Sequence, residues 1–207
     1  GTNESGGAVI GFPTTPGAFQ PSGSPGIVHA FATVLAQTSP GTPITIPSST
    51  LIGGENRTAL ARDVAVVRAT DATPRVYVVG DTLGTSTDPF AWYAGGSGTI
   101  NALPGFATPP SASGLTTDVF AFAFQDLPDA GQEQMLTFYG TDKNDVGAGV
   151  AADGGYQEVV VIAGTTSDPA IMNSAEVFVA MVETNTPGGG SALVRDETFG
   201  STRDDLV

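Results

Sequence analysis

Short apolar runs separated by Gly, Pro, Ser, Thr and Asp extend along almost the whole chain. No long run has apolar residues at the i, i+3, i+4 and i+7 positions of an amphipathic helix. Several runs consist instead of β-branched and aromatic residues, as strands do. The clearest are Val76-Tyr77-Val78-Val79, Val159-Val160-Val161-Ile162 and Val177-Phe178-Val179. The pattern predicts many short strands joined by turns, and hence an all-β fold.

Two of these runs differ in how apolar and small residues are distributed. Between residues 118 and 124, Phe alternates with Val or Ala. The run from 158 to 164 is almost continuously apolar, which is typical of a strand covered on both faces.

Four sequence features recur three times in the same order, which indicates an internal repeat. They are a strand ending in Gly, an aromatic strand, a Thr-hydrophobe strand ending in Gly, and an acidic turn before a short apolar strand. The first feature is found at Ala8-Val9-Ile10-Gly11, Val78-Val79-Gly80 and Ile162-Ala163-Gly164, and the second at Phe31, Phe120 and Phe178. The third is found at Thr50-Leu51-Ile52-Gly53, Thr137-Phe138-Tyr139-Gly140 and Thr198-Phe199-Gly200, and the fourth at Asp63-Val64, Asp145-Val146 and Asp204-Asp205-Leu206-Val207.

This repetition predicts about three four-stranded antiparallel units that resemble propeller blades. The expected units are residues 1–67, 68–152 and 153–207, with an insertion at 83–117 between the first two strands of the middle unit. The chain opens on the first feature and stops just inside the fourth, so the units are expected to be out of phase at both termini. Because natural proteins close, cover or pair exposed strand edges, three outcomes are open. The chain is part of a longer propeller, closes on itself, or pairs its end strands with a neighbouring copy in a head-to-tail fibre.

The recurring features resemble the SBBP, or beta-propeller, repeat family of bacterial surface and secreted proteins. The best local match runs from Leu136-Thr137-Phe138-Tyr139-Gly140 through Gly149-Val150-Ala151-Ala152-Asp153 to Ile162-Ala163-Gly164-Thr165-Thr166. His29 and Glu176 stand where that family usually has Asp. The resemblance implies a propeller-type fold, an extracellular or cell-surface location and no catalytic residues.

The charge of the chain restricts its partners. Twenty-one acidic residues against seven basic ones give a formal net charge of −14. Such a surface repels nucleic acid and anionic membranes but accepts divalent cations or basic partners. No apolar run approaches the roughly 20 residues of a membrane-spanning helix. Because the chain has no Cys, thiolate metal sites and Cys nucleophiles are excluded.

A few residues are candidates for binding chemistry. Oxygen-rich turns suggest a Ca²⁺ site, although Asp and Gly are also ordinary turn residues and no EF-hand spacing is present. Trp92 and Tyr93, in the insertion, are candidates for stacking on a sugar or for covering a sheet edge. Asn3 and Asn56 begin N-glycosylation sequons. The candidate Ca²⁺ ligands are Asp142, Asn144, Asp145 and Asp153.

Two further features point to structure rather than catalysis. His29 is the only histidine and occupies the place of Asp118 and Glu176, so a structural role is expected. The acidic pairs Asp204-Asp205 and Asp142/Asp145 fall in the recurring turn, which favours a turn role over the separated carboxylates of a glycosidase.

The sequence therefore predicts a non-enzymatic extracellular protein with a structural or adhesive role. Self-association through pairing of terminal strands, or binding to other surface proteins, is the expected interaction. The alternative is a glycan-binding or glycan-hydrolysing propeller that uses loop aromatics and carboxylates.

Overall fold

A computed structural model gives the structure of the chain. It describes residues 2–4, 12–16, 18, 20, 22–24, 26–53, 57–68, 74–84, 100–101, 116–125, 134–140, 143–154, 159–168, 170, 174–186 and 190–200. These residues contain twelve strands and no helix, in agreement with the all-β prediction. Within this part of the chain, no helix has the length and apolarity needed to cross a membrane.

The strands form three sheets. Sheet 1 has the order β1-β2-β3, sheet 2 has β4-β5-β7-β8-β6 and sheet 3 has β12-β11-β10-β9. Neighbouring strands are antiparallel except for β6 and β8, which are parallel. The strands are β1 (Thr2–Glu4), β2 (Val28–Ala36), β3 (Thr45–Ile52), β4 (Arg57–Arg68), β5 (Pro74–Gly84), β6 (Ile100–Asn101), β7 (Thr117–Gln125), β8 (Gln134–Tyr139), β9 (Asn144–Asp153), β10 (Val159–Ser167), β11 (Glu176–Thr186) and β12 (Gly190–Phe199).

Sheet 2 lies between the other two sheets, so both of its faces are covered. Along β7, Phe120, Phe122 and Phe124 pack towards sheet 1, in a cluster that also contains Ala30 and Ile52. The intervening residues of β7 pack towards sheet 3, together with Tyr77, Val160, Ile162 and Phe178. Since successive side chains of a strand point to opposite faces, the Phe/Ala alternation fills one interface with rings and the other with small groups.

Sheets 2 and 3 share one irregularity at the same place. In sheet 2, Ala61 pairs with Gly80 and Asp63 with Val79, which leaves Arg62 as an extra residue in a β-bulge. In sheet 3, Gly147 pairs with Gly164 and Gly149 with Ala163, which leaves Ala148 as the extra residue. Both bulges lie opposite a Gly of the first sequence feature. This shared register defines which positions of the two sheets correspond.

Sheet 1 differs from the sequence-based expectation at its first strand. Thr2 pairs with Ala30 and Asn3 with His29, so β1 occupies the place that β5 and β10 occupy beside β7 and β11. Residues 1–3, Gly-Thr-Asn, therefore correspond to Gly80-Asp81-Thr82 and Gly164-Thr165-Thr166. The assignment of that position to residues 8–11 is wrong because β1 fills it, and residues 8–11 themselves lie outside the described part.

The fourth sequence feature also aligned residues that do not correspond. Asp63 pairs with Val79, one residue before Gly80, whereas Asp145 pairs with Thr166, two residues after Gly164. The position of Asp145 is that of Ala59, which pairs with Thr82. The shared Asp-Val dipeptide thus lies before the bulge in β9 and after it in β4.

Candidate functional site

The candidate Ca²⁺ ligands do not come together. Asn144 and Asp153 are the two ends of β9, which places them about 30 Å apart at roughly 3.3 Å per residue. Asn144 Oδ1 accepts a hydrogen bond from the Thr117 N–H (3.3 Å), and Asp145 is buried. The two oxygen-rich turns therefore do not share one ion, Asp142 lies outside the described residues, and Ca²⁺ binding at either turn stays a prediction. Among the described residues, no three His, Cys, Asp or Glu side chains are placed to share a metal ion.

Most of the other residues singled out in the sequence lie outside the described part of the chain. Trp92, Tyr93 and Asn56 lie outside the described residues, as do Asp204 and Asp205. Asn3 lies in β1, where its backbone pairs with His29. The expected roles of these residues in sugar stacking and glycosylation stay predictions.

His29 is buried inside sheet 1 and is held by its surroundings. The Ser24 N–H donates to His29 Nε2 (2.9 Å), and the Gln20 side-chain amide lies 3.5 Å from Nδ1. A Cβ at Gly53 would lie 2.5 Å from Nδ1, so only Gly leaves room for the ring there. Burial lowers the pKa of His29, which favours the neutral ring. The predicted structural role agrees with this packing.

At the corresponding position of sheet 2, Asp118 forms a buried ion pair. Arg57 Nη2 donates to Asp118 Oδ2 (3.1 Å), and Arg57 Nε donates to Thr82 Oγ1 (3.3 Å). Arg57 and Asp118 are 1% and 0% exposed. The pair joins the beginning of β4 to the beginning of β7 across β5. Burial lowers the pKa of Arg57 while the Asp118 charge opposes that effect, and the guanidinium stays charged.

Asp81 and Asp63 stabilise the bulge of β4 and its contact with sheet 3. Arg62, the bulged residue, donates from Nε and Nη2 to the two Asp81 oxygens (2.6 and 3.0 Å), which raises the pKa of Arg62. Asp63 Oδ2 accepts the Val150 N–H of β9 (2.9 Å). Asp81 and Asp63 both accept hydrogen bonds that hold the bulge and the contact between sheets, so they are not a pair of free carboxylates. The composition showed that Arg is scarce but gave no signal that Arg57 would be buried.

A groove of about 540 Å³ opens between sheets 1 and 2. Its lining is mostly aliphatic and comes from β2, β4, β5 and Phe124 of β7. Val64 and Val66 are 57% and 67% exposed along one wall. They correspond to Val150 and Ala152 of β9, which pack against sheet 2. Val64 and Val66 are therefore exposed at positions whose counterparts in sheet 3 pack against sheet 2.

The groove adjoins an open strand edge. The Leu51 N–H donates to the Gln20 carbonyl, so the Leu51 backbone points away from β2. Phe31 pairs with Leu51, so the N–H and C=O groups of Phe31 point away from β3, towards the β1 side of β2. The backbone groups of Thr33 and Leu35 point to the same side. β1 pairs only as far as Ala30. No described strand covers the rest of that edge or the far edge of β1.

The outer edges of sheets 1 and 2 are covered by contrast. Gln20 forms a bridge to Leu51 at the edge of β3, and Thr15 N–H donates to the Ser49 carbonyl (3.0 Å). In sheet 2, β6 pairs with β8. Edge protection of this kind prevents unwanted strand pairing. Among the described residues, β4, β9 and β12 are also edge strands with a neighbouring strand on one side only.

On the face of sheet 3 that points away from sheet 2, β10 and β11 carry five half-buried apolar residues, and Glu197 of β12, which pairs with Val179, shares this face. The five apolar residues are Val161, Ala163, Val177, Val179 and Met181. We refer to these five residues as the outer face of sheet 3. Phe199, at the end of β12, is 50% exposed and pairs with Val177.

Comparison with known proteins adds no relative. No protein-family model matches this chain, and no curated protein has a significant match to it. The resemblance to the SBBP family stays a prediction, and the candidate interaction surfaces described above rest on the structure alone.

Proposed function

We propose that this chain is a non-enzymatic structural or adhesive protein of the cell exterior, built from three blade-like repeat units, which self-associates through strand pairing. The observation that carries the proposal is the open edge of sheet 1. β1 holds the position of the second strand of the other sheets, and no described strand occupies the first position beside it. An unpaired row of backbone donors and acceptors is a template for another strand.

A further observation supports this proposal. The exposed valines of β4 border the same gap, so strand addition there would bury apolar surface as well as satisfy backbone groups.

The proposal is tested by the association state of the purified chain. Light scattering coupled to size-exclusion chromatography should give a mass that rises with protein concentration, and electron microscopy should show head-to-tail rings or filaments. A mass of 20.8 kDa that persists at millimolar concentration and physiological salt would rule out self-association.

A further inference from the structure

We infer that the open edge of β2 and the groove beside it bind an extended segment of another protein, with aliphatic residues at alternate positions and basic residues at its ends. The segment adds to sheet 1 as an antiparallel strand next to β2, in the register that β5 has next to β7. This inference goes beyond self-association, because the strand comes from a different protein, but it uses the edge on which the proposed function rests.

The backbone of β2 supplies the first argument. The N–H and C=O groups of Phe31, Thr33 and Leu35 point to the β1 side of β2. β1 begins opposite Ala30 and runs towards Val28, away from these groups. Among the described residues, no strand pairs with them on that side. An added antiparallel strand would satisfy this row of donors and acceptors.

Sheet 2 shows the register that such a strand would take. β1 occupies the place of Asp81 and Thr82 of β5, so Ala32 and Val34 of β2 hold the positions of two alanines of β7. The β5 partners of these alanines are buried and face sheet 3. An added strand in the same register therefore has two side chains that face sheet 2 from beside Ala32 and Val34. The alanines are Ala121 and Ala123, and their partners are Val79 and Tyr77.

The groove between sheets 1 and 2 lies where these two side chains would point. Ala32 and Val34 line one side of it, and Val64 and Val66 of β4 line the other. Both valines of β4 are exposed, whereas their counterparts in β9 pack in the cluster that contains the two β5 partners. Two inward aliphatic side chains would therefore bury apolar surface that the described residues leave open.

The polar groups that line the groove are already hydrogen-bonded, which favours an apolar occupant. Arg62 donates from Nε and Nη2 to Asp81, and Asp63 accepts two backbone N–H groups. The Thr33 hydroxyl is hydrogen-bonded to that of Ser49. The other lining residues are apolar, so aliphatic side chains match the groove better than polar ones.

The residues around the groove also define the size of the inward side chains. Val34 stands where β7 has Ala123, and Val66 stands where β9 has Ala152. Both differences leave less room than Tyr77 has in sheet 2. Because well-packed interiors tolerate little excess volume, the inward residue opposite Val34 is expected to be a β-branched aliphatic residue rather than tyrosine.

Charge favours a basic partner over a second copy. The chain has a formal net charge of −14, so copies repel each other whereas a basic segment is attracted. Basic residues fit at the ends of the segment, outside the apolar groove. Salt screens the attraction, so binding of the segment should weaken as the salt concentration rises.

Peptide binding, measured by fluorescence anisotropy, provides the test. The probe copies residues 74–80 with the substitution Tyr77→Val and carries two added lysines at each end. N-methylation at Val78 removes the N–H that would face Thr33 and should weaken binding about tenfold or more. N-methylation at Val79 is the matched control, because that N–H would point away from β2, and it should change binding by less than about twofold.

Side-chain variants test the groove. In the peptide, Val79→Thr places a hydroxyl over the valines of β4 and should weaken binding about tenfold, whereas Val76→Thr, on the opposite face of the strand, should have little effect. In the protein, Val66→Gln should weaken binding severalfold. Phe199→Gln, at an exposed apolar residue of sheet 3, is the matched control and should leave binding unchanged. Both protein variants replace exposed residues, and circular dichroism checks that the fold is retained.

The outcomes separate this inference from the proposed function. Binding that depends on the Val78 N–H, on the inward peptide side chain and on Val66 supports the inference. Absence of binding overturns it, as does binding that both N-methylated peptides or the Val66→Gln protein retain in full, or binding that strengthens with salt.

The mass of the chain alone decides self-association. A chain that self-associates but does not bind the peptide would mean that a second copy holds the edge, which overturns the inference and leaves the proposed function standing. A chain that binds the peptide but stays monomeric overturns self-association and leaves the inference standing.

Discussion

His29, Asp118 and Glu176 hold the same position at the beginning of the third strand of their sheets, and each is accommodated differently. The imidazole is buried neutral, Asp118 is buried against Arg57, and Glu176 is half-buried. A single position of the fold therefore accepts a neutral base, a paired acid or a partly hydrated acid. The surroundings decide which of these is stable.

The neutral state of His29 predicts a pH dependence of stability. The pKa of His29 is lowered in the folded chain, so below about pH 6.5 the unfolded chain takes up a proton that the folded chain does not. The free energy of unfolding should therefore decrease as the pH falls from about 6.5 to 5, by at most about 1.4 kcal/mol per pH unit. Chemical denaturation at several pH values measures this slope.

The control for this slope is His29→Asn, which keeps a polar side chain at the position. Since His29 is the only histidine, no other side chain has an ordinary pKa between 5 and 8. The slope between pH 6.5 and 5 should largely disappear in the variant. An unchanged slope would mean that His29 is not its source.

The Arg57–Asp118 pair predicts strong coupling between two residues that are 61 positions apart. Asp118→Leu leaves a buried guanidinium without its carboxylate and should cost about 3–5 kcal/mol of unfolding free energy. The double variant Arg57→Met/Asp118→Leu should recover most of that loss. Denaturant titrations of Asp118→Leu, Arg57→Met and the double variant complete the cycle, and losses that simply add would argue against a direct pair.

Arg62→Met is a useful contrast to the buried pair. Arg62 is 45% exposed but Asp81 is only 4% exposed, so removing the guanidinium leaves a nearly buried carboxylate without its ion-pair partner. Its loss should cost about 1–3 kcal/mol, more than an exposed ion pair and less than the loss at Asp118.

At the scale of elements, the bulges of β4 and β9 require Gly on the neighbouring strand. A Cβ at Gly80 would collide with the Leu60 carbonyl oxygen, and a Cβ at Gly164 with that of Val146. Gly80→Ala should therefore destabilise the fold by about 1–3 kcal/mol, as overpacking does. Gly149→Ala is the matched control, because its Cβ would meet only Asp63 Oδ2 at an ordinary 3.6 Å. Thermal unfolding of both variants measures the difference, and equal effects would show that the close approach is unimportant.

The sequence was informative about elements because strands leave a local signal. The apolar runs at 76–79, 118–124 and 159–162 all lie in strands, as the β-branched and aromatic residues predicted. Phe31, Phe120 and Phe178, which the order of features placed at one position, lie in β2, β7 and β11. Positions that depend only on residue type and alternation were therefore accessible from the sequence.

Strand registers were harder to predict from the sequence. A bulge or a one-residue deletion changes which residues pair, but it leaves the local sequence motif unchanged. Asp63 and Asp145 share an Asp-Val dipeptide yet lie on opposite sides of the bulge. In the third feature, Thr198 is one residue closer to its Gly than Thr50 and Thr137 are, and Phe199 takes the place of Ile52 and Tyr139. The ion pair Arg57–Asp118 links residues far apart in sequence, and no local pattern marks it.

At the scale of the whole molecule, charge opposes the proposed association. Each copy carries a formal net charge of −14. Copies of like charge repel each other, and salt screens this repulsion over about 10 Å at 0.1 M. Self-association should therefore strengthen as the salt concentration rises from about 10 mM to 0.5 M.

The middle sheet has a further consequence for how the molecule opens. β5 and β7 are covered on both faces, by sheet 1 on one side and sheet 3 on the other. Their backbone amides can reach solvent only when a neighbouring sheet has separated. Hydrogen–deuterium exchange should therefore be slowest at residues 76–79 and 119–124, with a protection that approaches the free energy of global unfolding. In this architecture, the part of the chain that exchanges most slowly is the part whose stability depends most on its two neighbouring sheets.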